Sequence, residues 1–313
     1  MKEVGQPAAE VAALRHAVPY LRLYRGRTFV VKVGGAALDD PVASRSLVEQ
    51  VGVLHQLGVR AVLVHGGGPQ STALARELGV PVRIVGGRRV TDDGALRVAA
   101  MVLNGLLNTE LLALCRAAGV PALGLSGVAA GLLRARRRPP VAVDGEPRPV
   151  DYGYVGDVEA VDPTPVERLL DAGLVPVVSP LSADAGGNLL NVNADAAAAA
   201  LAVALRAEKL VLVTDVPGLL ERPDDPGSLV SYLDLAGLER LRREGSVRDG
   251  MEPKVAAIEQ ALRGGVSRAH LVSYRVPDGV LAEVFTNEGA GTLVVSDLAA
   301  LTPDEAAAAP GDS

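Results

Sequence analysis

Of the 31 basic residues in this 313-residue chain only four are lysine, Lys2, Lys32, Lys209 and Lys254. Two of them stand near glycine-containing turns. Lys32 closes the apolar run TFVVKV and leads into Gly34-Gly35, and Lys254 falls in DGMEPKV, where a helical pattern begins. A chain that writes arginine nearly everywhere uses lysine where a compact point charge on a flexible stem is wanted in place of a planar fork. The stretch VLVHGGGPQST (62–72) places Gly66, Gly67 and Gly68 in a row, leaving the backbone with almost no side-chain cover. In NVNADAAAAALAVAL, the polar residues Asn191, Asn193 and Asp195 alternate ahead of an Ala-rich helix. Capping that helix needs one of them, and a carboxylate at Asp195 is suited to holding two lysine ammonium groups. Exposed amides, two point charges and a carboxylate to fix them are the parts of a phosphoryl-transfer site, where positioning and positive charge do most of the work.

Other readings of the same glycines fail on spacing. A dinucleotide site requires G-x-G-x-x-G, but Gly66 and Gly68 are followed by Ser71; a P-loop requires a Gly-Lys pair, which the chain lacks. The HGGG segment has no G-x-S-x-G partner, because GLSGV (124–128) does not fit it. His16, His55, His65 and His270 are scattered, so no metal site is expected.

The elements that must position these residues are short β-branched runs alternating with helix-period segments. Strands are expected at 28–33, 60–66, 120–126, 175–181, 209–215, 268–273 and 291–295, and helices at 43–57, 70–79, 94–118, 195–206, 233–243 and 253–263. Continuous apolar strands between helices predict an α/β fold with a mainly parallel central sheet sandwiched by helices. In such a sheet ligands bind beyond the carboxyl ends of the strands, where KVGG, HGGGP and SADAGGN all lie.

The expected organisation is an N-terminal helix in 1–26 serving oligomerisation, a lobe over 27–186 with hairpins inserted at 131–163, and a second lobe over 187–299. SADAGGN (182–188) is the hinge candidate between the lobes, and 300–313 is expected to be a disordered tail. The cluster Arg134–Arg138 reads as a solvated hairpin edge. A net charge of −6 gives no general attraction to nucleic acid or an anionic membrane. No apolar stretch is expected to span a bilayer, no signal peptide is evident, and the single Cys115 forms no internal disulfide; a cytoplasmic location is expected.

Assembled in order, VVKVGGAAL (30–38), VLVHGGGPQ (62–70), GRRVTD (87–92), GLSG (124–127), VGDV (155–158), NVNAD (191–195), LVTDVPG (212–218), DGMEPKV (249–255) and EGAGTLV (288–294) closely resemble the N-acetyl-L-glutamate kinases of the amino acid kinase family. The resemblance implies transfer of a phosphoryl group from MgATP to the side-chain carboxylate of N-acetyl-L-glutamate, a step of arginine biosynthesis. Carried over by motif, Lys32 and Lys254 would stabilise the moving phosphoryl group and Asp195 would orient them. Gly66, Gly67 and Gly68 with Arg89 and Asn191 would hold the amino-acid substrate, Arg89 by a bidentate grip on its α-carboxylate. ATP would lie near Gly34, Gly35, Thr214, Asp215, Gly250 and Met251, with Mg2+ held largely through phosphates and water. The segment LRHAVPYLRLYRG (14–26) is similar to the extra helix of the family's arginine-inhibited, hexameric branch. That likeness makes Tyr20, Lys209, His270, Glu283 and Gly289 candidates for an L-arginine site and predicts a homo-oligomer.

Three positions depart from the family pattern: Arg88, Asp249 and Glu252, the last a negative charge two residues before Lys254. Two further readings stay open at this level. One is a related kinase acting on another carboxylate, such as a carrier-linked α-aminoadipate. The other is a non-catalytic arginine-sensing module like the kinase-like half of N-acetylglutamate synthase, which is expected to carry an acetyltransferase domain and has no need to keep the phosphate lysines.

Overall fold

The computed structural model describes residues 15, 18–143, 145–248, 250–286 and 289–300. Most of the expected N-terminal segment, the tail beyond 300 and Asp249 lie outside the described residues; within the first, residues 18–24 are helical. Among the described residues fourteen strands are formed: β1 (Thr28–Val33), β2 (Arg60–His65), β3 (Arg83–Val85), β4 (Arg88–Val90), β5 (Ala122–Ser126), β6 (Leu133–Arg137), β7 (Val155–Val161), β8 (Val175–Ser179), β9 (Leu181–Ala183), β10 (Leu189–Val192), β11 (Lys209–Thr214), β12 (Tyr232–Asp234), β13 (Arg268–Ser273) and β14 (Gly291–Val295).

Eight of them make one sheet in the order β12-β14-β13-β11-β1-β2-β8-β5. All neighbours in it run parallel except β13 and β14. Both faces are buried, as the unbroken apolar strands require, and the period of two sorts their side chains. Val30, Val62, Val64, Leu210, Leu212 and Leu271 point to one face, under the helices Ala194–Ala204 and Glu252–Arg263. Phe29, Val31, Val33, Leu63, Val211 and Val272 point to the other, where Pro41–Gln56, Asn108–Ala117 and Gly279–Phe285 pack. The same alternation decides where charges go: Lys32 shares the face of Val30, whereas Lys209 and His270 share the face of Val211 and Val272.

The strands β10, β7, β6 and β9 close a small barrel. Residues 131–163 therefore contribute an antiparallel pair, β6 with β7, but that pair is completed by strands from 181–192. SADAGGN ends β9 and forms the turn, 184–188, of the antiparallel β9–β10 hairpin, closed by Asp184 Oδ1, which accepts from the N–H groups of Gly186 and Asn188 at 2.9 Å. The boundary expected at 186/187 falls inside this turn.

Several elements differ from the sequence reading. The run expected at 175–181 divides at Pro180, which has no N–H to continue β8, and Leu181 begins a barrel strand. Residues 232–234 form β12 rather than the start of a helix, because Asp234 accepts from Gly237 N at 2.8 Å and so caps the helix Leu235–Arg243. The helices Thr164–Asp171 and Gly279–Phe285 were not anticipated. The helix expected over 94–118 runs from Asp93 to Ala117 but contains a wide π turn at Met101–Leu107. By length and composition this helix, against expectation, is apolar enough to cross a membrane. Its Val98, Val102, Leu103, Leu107, Leu111 and Cys115 are buried within the fold.

Candidate active site

At the carboxyl ends of β1 and β2 the chain turns sharply into helices, and two glycine segments meet. Gly34 precedes the short helix Gly35–Leu38, and Gly67 precedes the helix Gly68–Glu77. Gln70 ties the two turns together, donating from Nε2 to Gly35 O and to Asp39 Oδ1, each at 2.8 Å. Two of the three consecutive glycines, Gly67 and Gly68, stand in different surroundings. A Cβ on Gly67 would fall 2.6 Å from Leu107 Cδ1 and 2.8 Å from Leu103 Cδ2, both on the π turn, so any side chain here must displace the two leucines. A Cβ on Gly68 would meet nothing within 4 Å, because this residue borders open space.

That space is a cavity of about 420 Å³ lined by Lys32, Gly35, Gly66, Gly67, Gly68, Arg88, Arg89, Arg138, Asn191, Asn193 and Asp195, among others. Four cationic side chains and one carboxylate on its wall suit an anionic ligand. Each of the three polar residues of NVNAD has its own task. Asn193 caps the helix Ala194–Ala204, accepting from Asp195 N at 2.8 Å and Ala196 N at 3.0 Å. Asn191, on β10, donates from Nδ2 to Thr91 Oγ1 at 3.3 Å. Asp195 enters the first turn of the helix and faces the sheet.

Asp195 Oδ1 lies 2.7 Å from Lys32 Nζ, and its Oδ2 lies 3.9 Å from Lys254 Nζ. Burial alone would raise the Asp195 carboxyl, but the charges of Lys32 and Lys254 outweigh it and hold the group below the usual carboxylate range. Lys254 is lowered from the ordinary lysine value, first by burial and further by the like charge of Lys32, with Asp195 and Asp215 acting against this. The Lys254 ammonium also donates to Gly250 O at 3.3 Å.

The negative charge at Glu252 does not face Lys254. It pairs with Arg242 at 3.1 Å, and Arg242 also binds Glu259 through two donors, at 2.9 and 3.0 Å. This cluster joins the helices Leu235–Arg243 and Glu252–Arg263 on the surface.

Arg89 reaches the glycine segment from the hairpin β3–β4, donating to Gly68 O at 3.1 Å and to Thr72 Oγ1 at 2.5 Å. The hairpin turns on Gly86 and Gly87, both with positive φ, 51° and 69°; two adjacent glycines between β-branched flanks are its sequence signal. Behind the glycines lies His65, fully buried, with Nδ1 3.1 Å from Gly66 O and Nε2 3.2 Å from Asn108 Nδ2. Burial lowers its imidazole to about 4, the contact with Gly66 opposing, so it is neutral near pH 7.

The sequence-selected residues thus fall into three groups. Lys32, Gly35, Gly66, Gly67, Gly68, Arg89, Asn191 and Asp195 line the cavity, and Lys254 stands at its edge through Asp195. Gly34, Thr214, Asp215, Gly250 and Met251 do not line it. Gly34 N donates to Val213 O at 3.3 Å, Thr214 and Asp215 follow at the end of β11, and Gly250 and Met251 precede the helix of Lys254. The third group lies on the other face and at the other end of the strands. There Lys209 Nζ is 3.1 Å from His270 Nε2, His270 Nδ1 is 2.8 Å from Glu283 Oε1, and Ala290 N donates to Glu283 Oε2 at 2.6 Å. Burial and then the charge of Lys209 lower His270 to about 4, so a neutral imidazole links the lysine to the glutamate. Tyr20 and Tyr24 stack nearby at 6.4 Å, and Lys209 Nζ lies 4.9 Å from the centre of the Tyr24 ring. Gly289, with φ 64°, leaves room for Glu283: a Cβ there would fall 2.7 Å from its Oε2.

The sequence reading missed Ser71, Gln260 and the direction of Arg138 as part of the cavity wall. Arg134 pairs with Glu159 and Arg137 with Asp151 at the exposed edge, but Arg138 turns toward the cavity and is held by Asp157. The charge was visible in the sequence; the direction was not, because Arg138 lies just beyond the end of β6, where alternation no longer assigns a face. Among the described residues no group of three or more His, Cys, Asp or Glu side chains is placed to hold a metal ion.

Residues 27–273 match the amino acid kinase family. The chain is 52% identical over 290 residues to the acetylglutamate kinase of Myxococcus xanthus, covering 91% of this chain and 94% of that one. It is 40% identical over 288 residues to the chloroplastic acetylglutamate kinase of Arabidopsis thaliana, covering 92% and 81%. Among solved structures, N-acetylglutamate synthase from Neisseria gonorrhoeae in complex with coenzyme A and N-acetyl-glutamate superimposes with a TM-score of 0.79 at 31% identity, covering 92% of this chain but 63% of the synthase. Carbamate kinase from Giardia lamblia bound to AMP-PNP shares the fold, with a TM-score of 0.61 at 16% identity, covering 87% of this chain and 99% of that one.

Proposed function

This chain belongs to the amino acid kinase family, and we infer that, like the acetylglutamate kinases it matches, it transfers the γ-phosphoryl group of ATP to the side-chain carboxylate of N-acetyl-L-glutamate, a step of arginine biosynthesis. The carrying observation is the pair of lysines held on the two oxygens of Asp195 at the edge of a cavity that Gly66–Gly68 and Arg89 also line.

The chemistry explains what the site contains. The nucleophile is a carboxylate, already ionised at neutral pH, so no general base is needed. One of its oxygens bonds to the γ-phosphorus as the bond to the β,γ-bridging oxygen breaks, and ADP departs with that electron pair. Charge accumulates on the phosphoryl oxygens and on the leaving oxygen, and Lys32 and Lys254 supply the compensating charge. Asp195, locked between them, acts by orientation and not as a proton acceptor. The amides of the glycine segment and the fork of Arg89 hold the substrate, together with Asn191, which lines the same cavity. The nucleotide lies beyond Lys254, along Gly34, Gly35, Thr214, Asp215, Gly250 and Met251. Because Asp195 is taken by the lysines, magnesium bound with the nucleotide would be held largely through its phosphates and water, and would supply further positive charge there.

The cluster Tyr20, Lys209, His270, Glu283 and Gly289 is the proposed site of L-arginine inhibition, with the N-terminal helix serving a homo-oligomer. In support, N-acetylglutamate synthase from Neisseria gonorrhoeae complexed with coenzyme A and L-arginine superimposes with a TM-score of 0.77, covering 65% of that chain. The reaction is placed in the cytoplasm. The test is to trap acyl phosphate with hydroxylamine in the presence of MgATP and N-acetyl-L-glutamate, with and without L-arginine. Hydroxamate that arginine suppresses supports both parts; hydroxamate indifferent to arginine removes the second; none from folded, ATP-binding protein removes the first.

A further inference from the structure

Asn108 and His65 are buried behind the glycine segment, and neither lines the cavity. Their hydrogen bonds admit one protonation pattern. Asn108 Nδ2 lies 3.0 Å from Val177 O, which can only accept, so the amide nitrogen of Asn108 faces that way. The same nitrogen lies 3.2 Å from His65 Nε2, which must therefore be the acceptor. The imidazole proton is then on Nδ1, which donates to Gly66 O at 3.1 Å. Peptide bonds here are trans, with no cis bond among the described residues, and in a trans peptide the C=O and the following N–H point in opposite directions. Holding Gly66 O inward directs the Gly67 N–H away from His65, and no backbone carbonyl among the described residues accepts from it.

Two features serve this arrangement. Asn108 follows the π turn Met101–Leu107, which also supplies the side chains that seat Gly67. Gly124, paired with Val177 across β5 and β8, leaves room for the Asn108 amide: a Cβ at 124 would fall 2.0 Å from Asn108 Oδ1. A π turn at such a place fits its frequent occurrence at functional sites.

We propose that His65 and Asn108 are a positioning pair that fixes the Gly66–Gly67 peptide, and with it the amide donors offered to the amino-acid substrate. The inference rests on the assignment of Gly66–Gly68 to that substrate. Neither residue touches the reacting atoms; Asn108 sets the tautomer of His65, and His65 sets the peptide.

Two substitutions separate positioning from core filling. His65→Asn places an amide nitrogen where Nδ1 sits and keeps the donor to Gly66 O. His65→Gln reaches the Nε2 position, fills more of the ring's volume and keeps a partner for Asn108, but has no donor for Gly66 O. Expected is a fall of about ten-fold or more in kcat/KM for N-acetyl-L-glutamate in H65Q, a fall within about three-fold in H65N, and a KM for ATP within about two-fold of wild type in both. Gly124→Ala, which displaces Asn108, should reproduce the H65Q pattern. A core-filling role orders the variants the other way, with H65N the worse, and that result overturns the proposal, as does a loss carried by the KM for ATP. Amide hydrogen exchange across residues 62–72 reads the same peptide without substrate and should be faster in H65Q than in H65N. A wild-type enzyme inactive on N-acetyl-L-glutamate would remove the substrate assignment, while equal exchange in the two variants would remove the positioning pair.

Discussion

Replacing Asp195 by asparagine preserves the side chain's shape and removes its charge, which isolates the bridge between the lysines. At an effective dielectric of about 20, a unit charge 2.7 Å from Lys32 Nζ attracts it by about 6 kcal/mol, and one 3.9 Å from Lys254 Nζ by about 4 kcal/mol. Both are gross figures, offset by the cost of withdrawing the charges from water, but the sign of their removal is clear: the buried Lys32 ammonium and the partly buried Lys254 ammonium then repel with nothing between them. Lys254 is already lowered by burial and by Lys32, and Asp195 opposes that lowering. In D195N the opposition is gone, so Lys254 loses its proton at lower pH. The alkaline limb of kcat should move toward neutrality, and kcat at neutral pH should fall about 10²- to 10³-fold. The stability profile has its own sign. A carboxyl lowered in the folded state contributes stability that is complete above its unfolded value, about 3.9, and lost as pH falls through the native one; D195N should lose that acid-side dependence. Hydroxamate formation against pH, with thermal unfolding of the same samples, measures all of this. A variant that keeps kcat within about three-fold and an unmoved alkaline limb would refute the bridge.

Gly67 and Gly68 should respond differently to alanine. Gly67→Ala drives a methyl into Leu103 and Leu107 and should destabilise by about 1–3 kcal/mol in thermal or denaturant unfolding, whereas Gly68→Ala should leave stability nearly unchanged and raise the KM for N-acetyl-L-glutamate. Arg89→Lys keeps the charge but loses the fork, and should raise the same KM about ten-fold with a smaller change in kcat, as measured by steady-state kinetics. Glu252→Gln removes a charge that faces Arg242, so kcat should change less than two-fold, about the scale of experimental scatter, and stability by well under about 1 kcal/mol, because the pair is half exposed and screened.

What could be read in advance divides by physical range. Strand identities and the parallel sheet were legible because burial on both faces imposes continuous apolar runs such as FVV and LVLV, a constraint that each segment records in itself. Lys32 and Asp195 were legible as candidates because glycines and an Ala-rich helix isolate them in the sequence. The small barrel was not, since it joins 133–137 and 155–161 to 181–192, and nothing local says that a Gly-rich turn will close a barrel instead of bending between lobes. The π turn was hidden for a similar reason. Its cause is tertiary: Asn104 accepts from Ser179 Oγ and Asn108 reaches Val177 O, and those bonds hold the wide turn in a segment whose apolar period reads as ordinary helix. Which way Glu252 faces was not legible either, because its partner Arg242, ten residues away, has no place in space until the two helices pack.

The scarcity of lysine carries its signal for a physical reason. In a chain that mixes lysine and arginine freely over its surface, a lysine near a glycine says little. Here arginine has taken the solvated positions, and each of the three lysines within the described residues meets another ionisable group: Lys32 and Lys254 meet Asp195, and Lys209 meets His270. An ammonium fits such places because it is compact and can turn its three donors independently, where a rigid planar fork would need a matching plane of acceptors. The β1–β11 register sets Phe29 opposite Lys209 and Lys32 opposite Leu212. Three residues of strand, about 10 Å, therefore separate the levels of the two charged groups, which point to opposite faces of the sheet. One compositional rule thus picks out both ends of the same strands, and the alternation of side chains, which no change of surface composition can alter, decides which face of the sheet each charge enters.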